Sequence, residues 1–170
     1  QNFIRCISED ENSNIWIGTD YGLNQYNRNT GKFIEYIHNP DDTSTISGQQ
    51  IFSVYADKKG SIWIKTGKYL DKLDPETKSI QHIRHYFNSF NNNPVNQNCS
   101  IVEDKNGLIW FGSNDWLFSF SPENSGLSHY YHNTHNNESL SNNEVRSIFE
   151  DNNGELWVGT SNGLNKFDRL

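Results

Sequence analysis

The sequence predicts an all-β fold, and three observations support this. Short runs of β-branched and aromatic residues with a period near two alternate with turn residues along the chain. No apolar stripe with helical spacing survives the frequent Gly, Asn and Asp residues. Four tryptophans recur at a constant interval of 47 residues, at Trp16, Trp63, Trp110 and Trp157. A fixed interval of this length indicates that one structural unit is repeated.

The repeated phrase is EDENSNIWIGTDYGLNQYN (9–27), ADKKGSIWIKTGKYLDKLD (56–74), EDKNGLIWFGSNDWLFSFS (103–121) and EDNNGELWVGTSNGLNKFD (150–168). In the first unit the pattern predicts four strands, at 3–10, 14–19, 22–27 and 32–38. Four-stranded units that repeat every 40 to 50 residues are typical of a β-propeller, in which each unit is one blade. We expect a residue with positive φ at the first hairpin of each unit. The residues at that position are Ser13, Gly60, Gly107 and Gly154.

These units predict a partial propeller of about four blades over 1–170, at about 3–38, 50–87, 97–132 and 144–170. The fourth blade lacks a counterpart of the outermost strand KFIEYIH, and polar linkers connect the blades at 39–50, 88–98 and 133–144. An incomplete blade leaves an unpaired strand edge, which closed rings avoid. We therefore expect either an excised fragment or a homodimer that forms through the open blade edges.

Composition excludes several classes of partner. The formal net charge is −7 and there is no run of Lys or Arg, which argues against nucleic acid and against direct contact with an anionic membrane. Cys6 and Cys99 have no metal-ligand spacing, and we interpret both as small buried residues.

The polar residues that recur in every unit favour structural roles over chemistry. The histidines at His38, His85 and His132 follow the 47-residue interval, so we expect neither a metal site nor a cofactor. An Asp stands before the first hairpin of each unit, where it would cap turn amides. We expect the tryptophans to be buried between blades, and no catalytic residues are legible. The recurring Asp residues are Asp10, Asp57, Asp104 and Asp151.

The phrase at 150–168, together with the linker NESLSNNEV (137–145), resembles the two-component regulator propeller repeat. The resemblance implies the extracytoplasmic, periplasmic sensor region of a hybrid two-component system of Bacteroidetes. In that family this region is thought to bind oligosaccharides and has no enzymatic activity of its own, while a histidine kinase would lie outside this chain. The sequence departs from the repeat at Ala56, Lys65, Tyr69 and Trp116.

One column of the repeat reads Gly22, Tyr69, Trp116 and Gly163, and it falls in the turn between the second and third strands. One interpretation is that the two aromatic side chains pack locally in turns of another type. The other is that they form an exposed platform on which sugar rings stack. The polar rim of that platform would be Asp20, Tyr21, Lys68, Asn114, Asp115, Ser161 and Asn162.

Two other functions remain open, because fold does not fix function. The leading alternative is a scaffold propeller for protein interaction or assembly. The other is a polysaccharide lyase or hydrolase, which would need a convergent pair of carboxylates or histidines.

Overall fold

The computed structural model describes residues 3–67, 69–84, 100–113 and 115–168. Within these ranges the chain forms fifteen strands and no helix. The strands make four antiparallel sheets of consecutive strands, in the orders β1-β2-β3-β4, β5-β6-β7-β8, β9-β10-β11-β12 and β13-β14-β15. This arrangement confirms the all-β class and matches a propeller fragment, so we name the sheets blades 1 to 4.

The strand bounds follow the repeat. Blade 1 comprises β1 (Ile4–Glu9), β2 (Ile15–Thr19), β3 (Gly22–Asn27) and β4 (Lys32–Tyr36). Blade 2 comprises β5 (Ser53–Ala56), β6 (Ile62–Lys65), β7 (Tyr69–Leu73) and β8 (Ile80–Arg84). Blade 3 comprises β9 (Ile101–Glu103), β10 (Ile109–Gly112), β11 (Leu117–Ser121) and β12 (Gly126–Tyr130). Blade 4 comprises β13 (Val145–Glu150), β14 (Leu156–Thr160) and β15 (Gly163–Phe167).

The first hairpin of each blade has the predicted backbone. Gly60, Gly107 and Gly154 have φ values of 84°, 77° and 76°. Ser13 takes the same left-handed conformation, with φ 61°, although it is not a glycine. The departure in sequence is therefore no departure in structure.

An Asp carboxylate that binds a Trp indole stabilises each of these hairpins. In blade 1, Oδ1 of Asp10 accepts hydrogen bonds from the amides of Asn12 (3.0 Å) and Asn14 (2.9 Å). Its Oδ2 accepts from Nε1 of Trp16 at 2.8 Å. The same indole bond joins Trp63 to Asp57, Trp110 to Asp104 and Trp157 to Asp151. The predicted capping role of the four Asp residues is thus confirmed.

The chain divides into two compact units, Gln1–Tyr86 and Phe87–Leu170. In the first unit, the core lies between blades 1 and 2. Trp16 and Leu23 of blade 1 pack there with Val54 and Ile64 of blade 2, and Ile46 of the linker completes the cluster. The predicted burial of Trp16 is confirmed, since its side chain is fully buried.

The second unit has an equivalent core between blades 3 and 4. Trp110 and Leu117 pack against Ile148 and Val158, and Leu140 of the linker takes the place that Ile46 takes in the first unit. Trp157 of blade 4 differs from the other three tryptophans of the 47-residue interval because it is only half-buried.

The linkers between blades fold alike in the two units. His38 Nδ1 lies 2.6 Å from the carbonyl oxygen of Ile46, and His132 Nδ1 lies 2.6 Å from that of Leu140. The histidines therefore hold a linker carbonyl, which explains why they recur. His85 lies outside the described residues.

Cys6 lies partly buried against the core of the first unit and forms no disulfide. Burial raises the pKa of its thiol to about 11, so the reactive thiolate is disfavoured at neutral pH. Its predicted role as a small packing residue agrees with this environment. Cys99 lies outside the described residues.

Candidate functional site

The turn between the second and third strands exists in two forms, and glycine marks one of them. In blades 1 and 4, Gly22 and Gly163 have φ values of 127° and 129°, which side chains rarely adopt. Space is also closed at Gly22, because a Cβ atom there would lie 2.5 Å from the carbonyl oxygen of Tyr36. Conformation therefore favours glycine in both blades, and packing also requires it at Gly22.

In the aromatic form of the turn in blade 3, Trp116 does not have a left-handed backbone. The turns close with hydrogen bonds from the Thr66 amide to the Tyr69 carbonyl (3.0 Å) and from the Ser113 amide to the Trp116 carbonyl (2.9 Å). Because Lys68 and Asn114 lie outside the described residues, the interpretation that these turns have changed type stays a prediction.

A hydroxyl braces the turn in all four blades, and we did not single it out from the sequence. In blade 1, Thr19 Oγ1 donates to the carbonyl of Gly22 (2.9 Å) and accepts from the amide of Tyr21 (3.1 Å). In blade 3, Ser113 Oγ donates to the carbonyl of Trp116 (3.0 Å) and accepts from its amide (2.9 Å). The sequence does show a hydroxyl residue at this position of every repeat: Thr19, Thr66, Ser113 and Thr160.

Each aromatic turn residue packs against a histidine of the outermost strand of its own blade. The ring of Trp116 stacks on His129 with centroids 4.7 Å apart. The ring of Tyr69 meets His82 edge to face, with centroids 5.9 Å apart. In blade 1, where the turn residue is Gly22, the position equivalent to these histidines is Glu35. An aromatic residue in the turn and a histidine on the fourth strand therefore occur together.

In blade 3 the stack continues to a third ring. His129 also stacks on Tyr131, with centroids 6.2 Å apart and planes 20° from parallel. His129 and Tyr131 are exposed, and Trp116 is partly exposed. We call Trp116, His129 and Tyr131 the blade 3 aromatic row. It combines a broad apolar surface with imidazole and phenol hydrogen-bonding atoms.

The predicted polar rim is only partly available to a ligand. Asp20 is engaged in an ion pair with Arg5, whereas Tyr21 beside it is 58% exposed. Asp115 is exposed next to Trp116, and its amide donates to Ser113 Oγ. Ser161 and Asn162 are exposed in the corresponding turn of blade 4. Lys68 and Asn114 lie outside the described residues.

The predicted site residues are distributed over both units. Tyr69, Asp20 and Tyr21 belong to the first unit, and Trp116 and Asp115 belong to the second. A platform that joins Tyr69 to Trp116 stays a prediction. The blade 3 aromatic row, in contrast, lies within one unit.

A buried carboxylate lies beneath the aromatic turn of blade 2. Asp71 is fully buried, and its Oδ1 is 2.7 Å from Nδ1 of His82. Burial lowers the pKa of His82, but the hydrogen bonds to Asp71 and to the Thr43 carbonyl, with the charge of Asp71, outweigh it and raise the pKa above its usual value. Burial also raises the pKa of Asp71, against the lowering effects of the Ser47 amide and of His82.

Groups of three or more His, Cys, Asp or Glu side chains that could hold a metal ion do not occur among the described residues. The same residues include no helix with the length and hydropathy of a membrane span.

A protein-family model identifies the repeat. The two component regulator propeller model matches residues 1–21, 89–115 and 139–162. These three segments are similar to two-component regulator propeller repeats. No curated protein sequence matches the chain.

Solved structures extend this relationship over nearly the whole chain. The extracellular domain of a protein assigned as a one component system from B. thetaiotaomicron is 26% identical over 96% of this chain, with a TM-score of 0.78. The extracellular domain of a protein assigned as a hybrid two component system of the same organism is 28% identical over 92%, with a TM-score of 0.71. The chain spans 21% and 20% of the length of these two chains, about a fifth.

A more distant structure shares the fold alone. Virginiamycin B lyase from Staphylococcus aureus is 14% identical over 98% of this chain and 55% of its own, with a TM-score of 0.69. Similarity at this level carries no information about reaction chemistry.

Proposed function

We propose that this chain is a non-enzymatic segment of the extracytoplasmic sensor propeller of a hybrid two-component regulator, and that the sensor recognises an oligosaccharide. The observation that carries the sensor assignment is the similarity to two extracellular domains of signalling proteins over more than nine-tenths of the chain. The propeller repeat matched by the family model supports the same assignment.

The choice of oligosaccharide as ligand class rests on the aromatic turns. Sugar rings present C–H faces that pack against aromatic side chains, while their hydroxyls require hydrogen-bond partners at the edge of the contact. The blade 3 aromatic row offers both, because Trp116 and Tyr131 supply ring surface, and His129 and the exposed Asp115 supply polar atoms. Tyr69 and His82 form a smaller pair of the same kind in blade 2.

The proposed binding residues are therefore Trp116, Asp115 and Tyr69 from the sequence prediction, extended by His129 and Tyr131. Tyr21, also from the sequence prediction, is an exposed aromatic in the glycine form of the turn. Lys68, Asn114 and Asp20 remain proposed rim residues, and Asp20 would have to leave its ion pair with Arg5 to bind a ligand.

The test is a glycan array of the intact extracytoplasmic region, followed by calorimetry with the glycans that bind. We expect Trp116→Ala to abolish or greatly weaken binding. Phe149→Ala is the matched control, because Phe149 is an exposed aromatic residue of the same unit that lies outside the aromatic row.

The result also separates sensor from scaffold. If the intact region binds no glycan but captures a defined protein partner, the assembly scaffold replaces the sensor as the assigned function. If it binds glycan and Trp116→Ala binds equally well, the sensor assignment stands and the aromatic row is not the site.

A further inference from the structure

The imidazole of His82 lies between two hydrogen-bond acceptors. Its Nδ1 is 2.7 Å from Oδ1 of Asp71, and its Nε2 is 2.8 Å from the carbonyl oxygen of Thr43. A carbonyl oxygen can only accept, and an ionised carboxylate can only accept. Both contacts are satisfied together only when the pair of His82 and Asp71 carries two protons, which corresponds to an imidazolium facing a carboxylate.

The same pair holds the linker between blades 1 and 2. Thr43 lies in that linker, and so does Ser47, whose amide donates to Oδ2 of Asp71 at 2.7 Å. Between them, Ile46 is buried in the core of the first unit. The segment 39–47 is therefore attached to blade 2 at both sides of its buried apolar residue.

Loss of one proton removes this arrangement. A neutral imidazole has a single N–H, so either Thr43 or Asp71 would face a ring nitrogen lone pair. Asp71 would also remain as a buried carboxylate without a cationic partner, which is unfavourable. The contact to the Thr43 carbonyl therefore depends directly on protonation, and the Ser47 contact depends on it indirectly, because deprotonation removes the cation that stabilises the buried Asp71 carboxylate.

We propose that Asp71 and His82 form a pH-dependent clamp, which fastens the linker 39–47 to blade 2 while His82 is protonated and releases it when His82 loses its proton. The clamp does not depend on any ligand.

The second unit contains a neutral version of the same attachment. At the position equivalent to Asp71 stands Asn165, whose Oδ1 accepts from the Ser141 amide at 2.8 Å. Its Nδ2 donates to Ser141 Oγ and to the Val158 carbonyl, both at 3.0 Å. This attachment contains no titratable group. The Ser141 attachment can therefore serve as an internal control that does not titrate.

Other charged groups of the packed elements have their own contacts. In the linker, His38 is bound to the Ile46 carbonyl, and the exposed Asp42 accepts from Ser44. On β7, Lys72 Nζ lies 5.5 Å from the ring centroid of Trp63. Among the described side chains of the linker, β6 and β7, the remaining titratable groups are Asp41, Lys65 and Tyr69, of which Lys65 is fully buried.

The direction of the pH effect follows from the raised pKa of His82. A group whose pKa is higher in the folded state stabilises that state fully below its ordinary pKa, and this contribution is lost as pH rises through the folded value. The ordinary value for His82 is 6.5. The clamp is accordingly closed in mildly acidic solution and opens at a pH above 6.5.

The test uses NMR of the complete 170-residue chain. We expect the His82 resonances to titrate above the ordinary histidine value. We also expect amide hydrogen exchange at Ser47, corrected for intrinsic rates, to lose protection through the same pH range, while Ser141 keeps its protection. Titration of His82 at or below its ordinary value overturns the clamp, as does a common pH profile for Ser47 and Ser141.

Asp71→Asn provides a second measurement. It copies the Asn165 attachment, and Asn also occurs at the equivalent Asn24, so the blade is expected to tolerate it. We expect the variant to lower the pKa of His82 and to make protection at Ser47 independent of pH. A variant that retains the pH dependence at Ser47 contradicts the proposal.

Discussion

At the scale of single residues, one carboxylate in each blade serves both a turn and a tryptophan. Asp104 shows the arrangement, because its Oδ1 accepts from the amides of Asn106 and Leu108 while its Oδ2 holds the Trp110 indole. A buried indole N–H without a partner would be unfavourable, so the Asp allows tryptophan to be used as a core residue. Buried tryptophans can therefore supply core packing in a chain that has few aliphatic residues.

The burial of the tryptophans predicts a graded effect on stability. We expect Trp16→Ala to lower the free energy of unfolding by about 3–5 kcal/mol, since the side chain is fully buried between blades 1 and 2. Trp157→Ala should have a clearly smaller effect, because Trp157 is half-buried. Urea unfolding followed by circular dichroism measures both. An equal loss of unfolding free energy in the two variants would show that the packing of Trp16 between blades does not account for its contribution to stability.

At the scale of elements, the turn between the second and third strands decides where aromatic side chains appear. With glycine, the chain adopts φ near 127° and approaches the fourth strand closely. With Tyr69 or Trp116, the ring packs on a histidine of the fourth strand. The residue type in the turn and the surface chemistry therefore change together.

The two forms of the turn predict which glycines accept a side chain. Gly22→Ala should destabilise the chain more than Gly60→Ala, by at least about 1 kcal/mol. Both residues have positive φ, but a Cβ at Gly22 meets a backbone oxygen, whereas none lies within 4 Å at Gly60. Thermal unfolding of the two variants compares them directly. Similar losses would mean that the turn relaxes around the added methyl group.

The fold could be predicted from the sequence to a large extent, because the constant interval between tryptophans specifies register as well as class. The site could be predicted only in part. Tyr69 and Trp116 stand out against glycine, but nothing in the linear pattern identifies His82 and His129 as their partners. Those contacts depend on cross-strand pairing, such as Phe118 opposite His129, which a linear pattern does not reveal.

At the scale of the whole molecule, two apolar positions of the repeat pack together inside each unit, and one of them is exposed in blade 4 and the other in blade 1. Leu23 packs in one cluster with Val54, and Leu117 packs in one cluster with Ile148. The corresponding Leu164 of blade 4 is 68% exposed, and the corresponding Ile7 of blade 1 is 61% exposed. The surface around Leu164 is therefore of the kind that packs against a surface around Ile7.

We propose that these two surfaces associate between copies of the chain, as a head-to-tail contact. Analytical ultracentrifugation of the 170-residue chain should then show a mass above that of one chain. Leu164→Asp and Ile7→Asp should each reduce the association, whereas Ile37→Asp, at a position 57% exposed outside this column, should not. A single-chain mass at every concentration would contradict the contact.

In the proposed sensor, the aromatic turn of blade 3 recognises the ligand. The most direct measurement is the calorimetric dissociation constant of a bound glycan for the intact extracytoplasmic region carrying Trp116→Gly. This variant restores the residue found in blades 1 and 4, so it removes the ring with the least disturbance to the repeat. We predict loss of at least about 2 kcal/mol of binding free energy, typical for removal of a central aromatic contact. An unchanged dissociation constant in a folded variant would contradict the claim.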